Sequence, residues 1–176
     1  FLTHENLLRL TAALAISCGV LLVDEISNIN STETEPAPVS CPPKAIQDKI
    51  TVRWGAPEDD PFFKRSLGFA LPLMRFGQVM IGIQPARGYN IDPKQSYHSP
   101  DLVPPHGYFA FYFFLRDMFK THAVIHMGKH GNMEWLPGKS LGLSSACYPE
   151  AVFGPVPQVY PFIVNDPGEG TQAKRR

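Results

Sequence analysis

The segment Gln78-Val-Met-Ile-Gly-Ile-Gln84 is a short and nearly continuous apolar run that lies between Gly77 and Pro85. An apolar run bounded by turn residues predicts a strand that is buried on both faces. Residues 107–119 are rich in Phe and Tyr on most faces, which predicts a helix packed deep in the domain. Residues 122–126 predict a second buried strand. Because strand, crossover helix and strand form a βαβ unit, we expect an α/β domain with a largely parallel sheet.

The segments around this unit add three further predicted elements. Residues 44–54 predict a short helix that ends at Gly55. Residues 159–164 predict a third apolar strand, although Pro161 disfavours a central position in a sheet. Residues 1–23 predict a helix that is followed by an apolar strand or a buried helix.

The composition divides the chain into two regions. Residues 1–43 combine the N-terminal helix with a loop rich in Pro, Ser, Thr and Asn, and residues 44–176 form the α/β region. The sequence starts at Phe1 without a methionine and stops at Arg176, where a helix is about to begin. We therefore expect an α/β region that is truncated at its C-terminus and belongs to a larger multidomain protein.

The charge balance and the cysteines disfavour several classes of protein. Lys+Arg and Asp+Glu are equal at 16 each, whereas a nucleic-acid-binding domain normally carries a basic excess. Cys18, Cys41 and Cys147 are far apart, which disfavours a disulfide scaffold and fits a reducing, cytoplasmic setting. The apolar stretch 7–23 is broken by polar residues and is shorter than the roughly 20 residues of a bilayer span. We expect no nucleic-acid partner and no stable membrane insertion.

A polar cluster follows each of the three predicted strands. Ligands of open α/β sheets bind beyond the carboxyl ends of the strands. If the strands are parallel neighbours, the three clusters meet at one edge of the sheet and form a site. The clusters are Gln84 and Arg87, then His126, His130 and Glu134, then Asn165, Asp166 and Glu169.

The spacing His126-x3-His130-x3-Glu134 places three ligand or acid/base groups after the second strand. Imidazole and carboxylate together suit a divalent ion such as zinc, cobalt or iron, and an imidazole also transfers protons near neutral pH. Gly128 and Gly131 interrupt the segment, so we expect a loop rather than a helix. Two interpretations remain open: a metal or proton-transfer site, and a histidine-rich loop whose rings are hydrogen-bonded.

Two basic residues near these clusters are candidate anion-binding groups. Arg87 could hold a carboxylate through a bidentate guanidinium contact, or it could be paired within its own domain. Lys139 belongs to Pro137-Gly-Lys-Ser140, which imitates the end of a phosphate-binding loop. The first glycine of that motif would fall at position 133, which is Met133, so the backbone nest for phosphate is incomplete. This pattern disfavours ATP binding by the chain itself.

Several long strings resemble the large subunit of the tetrapyrrole metal chelatases. This family comprises the cobaltochelatase large subunit and the magnesium chelatase H subunit. The segment Glu134-Trp-Leu-Pro-Gly-Lys139 resembles the cobalt branch, whereas the magnesium branch tends to have Glu-Phe-Met-Pro-Gly-Lys. Residues 84–93 and 102–108 also resemble the cobalt enzyme, and the agreement runs from about residue 54 to residue 176. The other strings are His126-Met-Gly-Lys-His-Gly-Asn-Met133, Ala146-Cys-Tyr-Pro-Glu150 and Pro161-Phe-Ile-Val-Asn-Asp-Pro-Gly-Glu-Gly-Thr-Gln-Ala-Lys-Arg-Arg176.

The resemblance implies a subunit that binds a corrin precursor, hydrogenobyrinic acid a,c-diamide, and inserts Co2+ into it during cobalamin biosynthesis. It also implies AAA+ partner subunits that hydrolyse ATP, with Mg2+, to drive the insertion. In this family context we expect Glu134 to be a base or transient metal ligand, with His126 and His130 as ligand and proton acceptor. Arg87, Lys139 and Asn165 are the expected contacts to groups on the rim of the macrocycle.

Two alternatives to a cobaltochelatase fragment remain open. One is a magnesium chelatase H subunit that inserts Mg2+ into protoporphyrin IX. Trp135 and residues 84–93 disfavour this alternative. The other is a non-catalytic metal-binding module, which would fold alone and hold its metal with four protein ligands.

Overall fold

A computed structural model describes residues 19–23, 41–65, 68–88, 99, 101–128, 133–139 and 143–160, with residues 19–23, 128 and 134 described by their backbone alone. The strands in chain order are β1 (Gly19–Val23), β2 (Phe63–Lys64), β3 (Gly68–Phe69), β4 (Leu73–Phe76), β5 (Val79–Ile83), β6 (Ala123–Gly128) and β7 (Gln158–Val159). The helices are α1 (Lys44–Trp54), α2 (His106–Phe113), which continues as a π-helical turn (Phe114–Met118), and α3 (Tyr148–Phe153). Single 3-10 turns occupy Pro57–Asp59 and Met133–Trp135.

Five strands form one sheet in the order β4-β5-β1-β6-β7, and β2 and β3 form a separate pair. In the five-stranded sheet, β1 pairs antiparallel with both β5 and β6, β4 pairs antiparallel with β5, and β6 pairs parallel with β7. Because β5 and β6 both run opposite to β1, the strands β5, β6 and β7 share one direction.

This arrangement differs from the predicted, largely parallel sheet. The mixed helix and strand content and a parallel pairing are confirmed, but three of the four pairings among the described strands of this sheet are antiparallel. The physical reason is the position of β1, which lies between β5 and β6. The crossover through α2 therefore joins strands that run in the same direction without being neighbours. The apolar pattern of residues 19–23 indicates burial, but it carries no information about the partner strands.

The predicted strands and helices that fall within the described residues lie close to their expected positions. Helix α1 has the predicted bounds, buries Ile46 and Ile50 on one face, and ends at Gly55, whose φ of 80° is a left-handed conformation suited to glycine. Strand β5 is confirmed, although its burial alternates, so one face is buried and the other half-buried. Strand β6 runs on to Gly128, which places the predicted strand-end residue His126 inside the strand.

The core lies between the sheet and helix α2. The helix buries Tyr108, Phe111 and Tyr112, each at most 1% exposed, which confirms the predicted deep packing. Helix α2 lies close to β5 at Gly82, where a Cβ would meet a terminal methyl group of Leu73 and lie 3.2 Å from the Phe111 ring. Close helix–sheet contact at this point sets the height of the α2 side chains above the sheet.

Several predictions concern residues outside the described ranges. The predicted N-terminal helix and most of the Pro-rich loop within residues 1–43 lie there, as does most of the third predicted strand, of which Gln158–Val159 is described. The division into regions 1–43 and 44–176 therefore stays a prediction. In the part of the chain that the structure describes, no helix combines the length and apolar character that crossing a bilayer requires.

Candidate functional site

His126 is buried in β6, with 3% of its surface exposed, and both of its ring nitrogens have hydrogen-bond partners. Its Nε2 lies 3.1 Å from the hydroxyl oxygen of Tyr112 on α2, and its Nδ1 contacts the side-chain amide nitrogen of Gln158 on β7. The two ring nitrogens therefore have partners on different elements, one on α2 and the other on β7. The rings of Phe153 and Tyr160 enclose the imidazole at centroid distances of 6.3 and 6.4 Å.

The contacts of His126 extend to the end of β5. The amide nitrogen of Gln84, the residue after β5, donates to the hydroxyl oxygen of Tyr112 at 2.7 Å and to that of Tyr108 at 3.1 Å. We call Gln84, Tyr112, His126 and Gln158 the polar chain. It connects the carboxyl end of β5 with β6 and β7 through α2, beside the apolar side chains of the core.

Arg87 lies three residues beyond Gln84 and is 4% exposed. Its Nη1 donates to the carbonyl oxygen of Trp135 at 2.6 Å and to that of Ser99 at 3.3 Å. These contacts favour the second interpretation of this residue, an arginine paired within its own domain, because its guanidinium is directed at backbone oxygens of the same chain.

The turn Met133–Trp135 carries Glu134 and is anchored on both sides of it. Met133 is completely buried, and its sulfur accepts the hydroxyl proton of Tyr108 at 3.4 Å. Trp135 is held through its carbonyl oxygen by Arg87, and the following Leu136 is also completely buried. The backbone of Glu134 is thus fixed between two anchored neighbours.

Lys139 is exposed, while its backbone is tied to the start of α3. The Sγ atom of Cys147 accepts the backbone N–H groups of Lys139 and Ser144, each at 3.4 Å. Gly138, with a φ of 136°, lies so close that a Cβ there would be 2.8 Å from the Cβ of Cys147. Burial raises the pKa of the Cys147 thiol, but the N–H donors of Ser144 and Lys139, the Ser144 hydroxyl and the Lys139 charge outweigh it, so the pKa is lowered overall.

The structure brings part of the predicted site together. Gln84 and Arg87 reach the second cluster, one through Tyr112 to His126 and the other directly to the turn of Glu134. His130, Asn165 and the side chain of Glu134 lie outside the described residues. Within the described side chains no group of three His, Cys, Asp or Glu residues could hold a metal, so the predicted ligand set, two of whose members lie outside, stays a prediction.

Tyr112, Tyr108 and Gln158 were missed as contributors to the site. The aromatic run of α2 indicates core packing, and it does pack there, but two of its hydroxyls also connect Gln84 to His126 and to Met133. The available signal was the presence of Tyr rather than Phe at two positions four residues apart in a Phe-rich helix.

Comparison with known proteins assigns the chain to a protein family. A family model described as CobN/Magnesium Chelatase matches residues 37–176, and the chain therefore belongs to that family. It is similar to the aerobic cobaltochelatase subunit CobN of Sinorhizobium sp, with 73% identity over 134 residues, which are 76% of this chain and 10% of that protein. The chain thus spans about a tenth of the length of this relative.

Two further comparisons place the chain nearer to the cobalt proteins than to the magnesium proteins. It is 44% identical over 102 residues, 58% of this chain and 7% of the relative, to the chloroplastic magnesium-chelatase subunit ChlH of Oryza sativa subsp. indica. It also matches a solved structure, the catalytic subunit of cobaltochelatase from Mycobacterium tuberculosis, with a TM-score of 0.63, 47% identity and coverage of 76% of this chain and 12% of that chain. The resemblance to the cobalt branch of the family is confirmed.

Proposed function

We propose that this chain is part of the tetrapyrrole-binding subunit of an ATP-dependent cobaltochelatase, which inserts Co2+ into hydrogenobyrinic acid a,c-diamide during cobalamin biosynthesis. The observation that carries the proposal is the 73% identity to a cobaltochelatase subunit, against 44% to the magnesium-chelatase subunit. In chemical terms the whole protein is then a ligase that forms nitrogen–metal bonds, and Co2+ is its substrate.

The proposed chemistry assigns metal and proton handling to the segment after β6. Insertion requires that Co2+ lose its bound water and that the corrin macrocycle lose the proton carried by its ring nitrogens. A carboxylate such as Glu134 holds a hydrated divalent ion, and an imidazole such as His130 accepts a proton near neutral pH. These ligands have to release the metal to the ring, so an open, incomplete ligand set suits the reaction better than a closed four-ligand site.

His126 has a different role in this proposal from the one expected at the outset. Its ring is buried and hydrogen-bonded at both nitrogens, which favours a group that fixes the strand before the reactive loop over a direct Co2+ ligand. Lys139 remains a candidate contact to a macrocycle carboxylate, because it is exposed and its backbone is fixed by Cys147. Asn165 is proposed as a further substrate contact on the strength of the family resemblance alone.

ATP hydrolysis is proposed to take place on AAA+ partner subunits, with Mg2+. This chain supports the proposal at Met133, the residue that occupies the position of the first glycine of a phosphate-binding loop. A completely buried side chain, bonded to Tyr108, stands where such a loop needs a glycine backbone.

The proposal is tested with the full-length protein and its ATPase partners. Co2+ insertion into hydrogenobyrinic acid a,c-diamide, followed by absorbance, should proceed only with ATP and the partners present. The parallel assay with Mg2+ and protoporphyrin IX should give no product. Insertion of Mg2+ in place of Co2+ would support the magnesium-chelatase alternative. Metal binding without any insertion would support the alternative of a non-catalytic metal-binding module.

A further inference from the structure

The buried guanidinium of Arg87 is directed at the chain itself rather than at the exterior. It is 4% exposed, and its Nη1 donates to the carbonyl oxygens of Trp135 and Ser99 at 2.6 and 3.3 Å. A buried charge is tolerated where hydrogen bonds replace its lost hydration. Two backbone carbonyls provide part of that replacement at Nη1, and the short distance to Trp135 is typical of a charge-assisted hydrogen bond.

The carbonyl that Arg87 holds belongs to the residue directly after Glu134. On the other side of Glu134, Met133 is completely buried and accepts the hydroxyl proton of Tyr108 at 3.4 Å. Tyr108 in turn accepts the amide N–H of Gln84 at 3.1 Å. Hydrogen bonds therefore connect both ends of the turn to residues that follow β5. One end is connected through Arg87 and the other through Tyr108 and Gln84.

We propose that Arg87 is a positioning residue for Glu134 and not a binder of substrate carboxylates. By holding the Trp135 carbonyl against the carboxyl end of β5, it fixes the backbone from which the Glu134 carboxylate meets Co2+. This inference rests on the proposed function, because it gives Glu134 a reacting partner. A displacement of about 1 Å in a reacting group can cost on the order of 100-fold in rate, so loosening the turn should slow insertion.

The first arm of the test is independent of any activity. In the full-length protein, hydrogen–deuterium exchange of a peptide covering residues 133–139 is compared between wild type, Arg87→Lys and Arg87→Met. The matched control is Arg75→Lys, since the Nε of Arg75 also donates to a backbone carbonyl, that of Gly77, at an exposed turn. We expect faster exchange in the Arg87 variants at 133–139, unchanged exchange in α1, and wild-type behaviour of the control. Unchanged exchange at 133–139 in Arg87→Met would overturn the proposal.

The second arm measures kinetics with the partner ATPases. We expect kcat for Co2+ insertion to fall about 10- to 100-fold in Arg87→Met, and less in Arg87→Lys, while the Kd for the macrocycle stays within about twofold. A macrocycle Kd weakened about tenfold or more with kcat retained would overturn the proposal, because it is the signature of a substrate-binding arginine. Loss of activity that only follows loss of folded protein would also overturn it. If the wild type inserts no Co2+, the proposed function fails, and the exchange arm still decides whether Arg87 holds the turn.

Discussion

The hydroxyl oxygen of Tyr112 lies 3.1 Å from the Nε2 of His126 and also accepts the amide N–H of Gln84 at 2.7 Å. One helical side chain therefore joins two strands, β5 and β6, that are separated in the sheet by β1. This connection is important because Gln84 and Arg87 follow β5 in the chain, and β6 leads to the proposed reactive loop. The polar chain fixes the relative position of these two segments.

Replacing Tyr112 by Phe should destabilise the connection between β5 and β6. The substitution removes the hydroxyl that bonds the Nε2 of buried His126 and one of the two hydroxyls that accept the Gln84 amide, at a cost of about 1–3 kcal/mol. Native-state hydrogen exchange of the β6 amides in the full-length protein should report this loss as a lower free energy of local opening.

Tyr148→Phe is the matched control for that substitution. The Tyr148 hydroxyl is buried and has no hydrogen-bond partner among the described residues, and burial raises its pKa. Removing this hydroxyl should therefore leave the stability unchanged or slightly improved. Equal effects of the two Tyr→Phe changes would show that the contacts of Tyr112 in the polar chain contribute no net stability.

Asp60→Asn should weaken the start of helix α2. The Asp60 carboxylate is 4% exposed and accepts the N–H groups of Gly107 at 2.8 Å and Phe62 at 2.9 Å. A negative charge at a helix N-terminus that also caps an N–H is worth about 1–2 kcal/mol. Exchange of the α2 amides should accelerate accordingly. Asp48→Asn, which removes an exposed partner of Lys44, should change it little, and an equal response would argue against the capping role.

Cys147 should react as a thiolate at lower pH than an ordinary cysteine. Alkylation of the full-length protein at a series of pH values, with the Cys147 peptide quantified by mass spectrometry, gives the apparent pKa of the thiol. Lys139→Met should raise this pKa, because it removes one of the causes that lower it, whereas Lys64→Met should not. An apparent pKa at or above the ordinary value in wild type would contradict the proposed environment.

The lowered pKa of Cys147 also predicts how stability depends on pH. The folded state favours the thiolate, so its contribution is complete above the unfolded pKa of about 8.5 and is lost as pH falls through the folded pKa. Relative to Cys147→Ser, the wild type should therefore gain stability as the pH rises towards about 8.5. A difference that shrinks with rising pH would contradict the direction of the pKa shift.

Local patterns predicted the elements well and their pairing poorly. The apolar run after Gly77 and the i, i+4 burial of Ile46 and Ile50 report burial on a single element, and the observed β5 and α1 agree with them. The insertion of β1 between β5 and β6 depends on contacts between residues about 60 or more positions apart, as in the pairing of Gly19 with Ile83 and Met127. A single sequence holds no direct record of such pairing.

The candidate site shows the same division between local and distant information. The spacing from His126 to Glu134 identified the segment, and the polar residues after β5 pointed to its neighbours. The sequence left the role of Arg87 open, because whether an arginine meets a substrate or a carbonyl depends on burial. Arg87 is buried and bonds the carbonyl oxygens of Ser99 and Trp135, which lie 12 and 48 positions further along the chain, so only the folded chain shows these contacts.

The most direct test of the proposed function is the rate of Co2+ insertion by Glu134→Gln in the full-length protein with its ATPase partners. The amide cannot accept a proton or balance the charge of the ion, so we predict a loss of insertion rate of about 100-fold or more. The Kd for the macrocycle, measured by fluorescence quenching, should stay at the wild-type value, and Glu58→Gln, at an exposed turn, should insert normally. An unchanged insertion rate in Glu134→Gln would contradict the assignment of this residue to the chemistry.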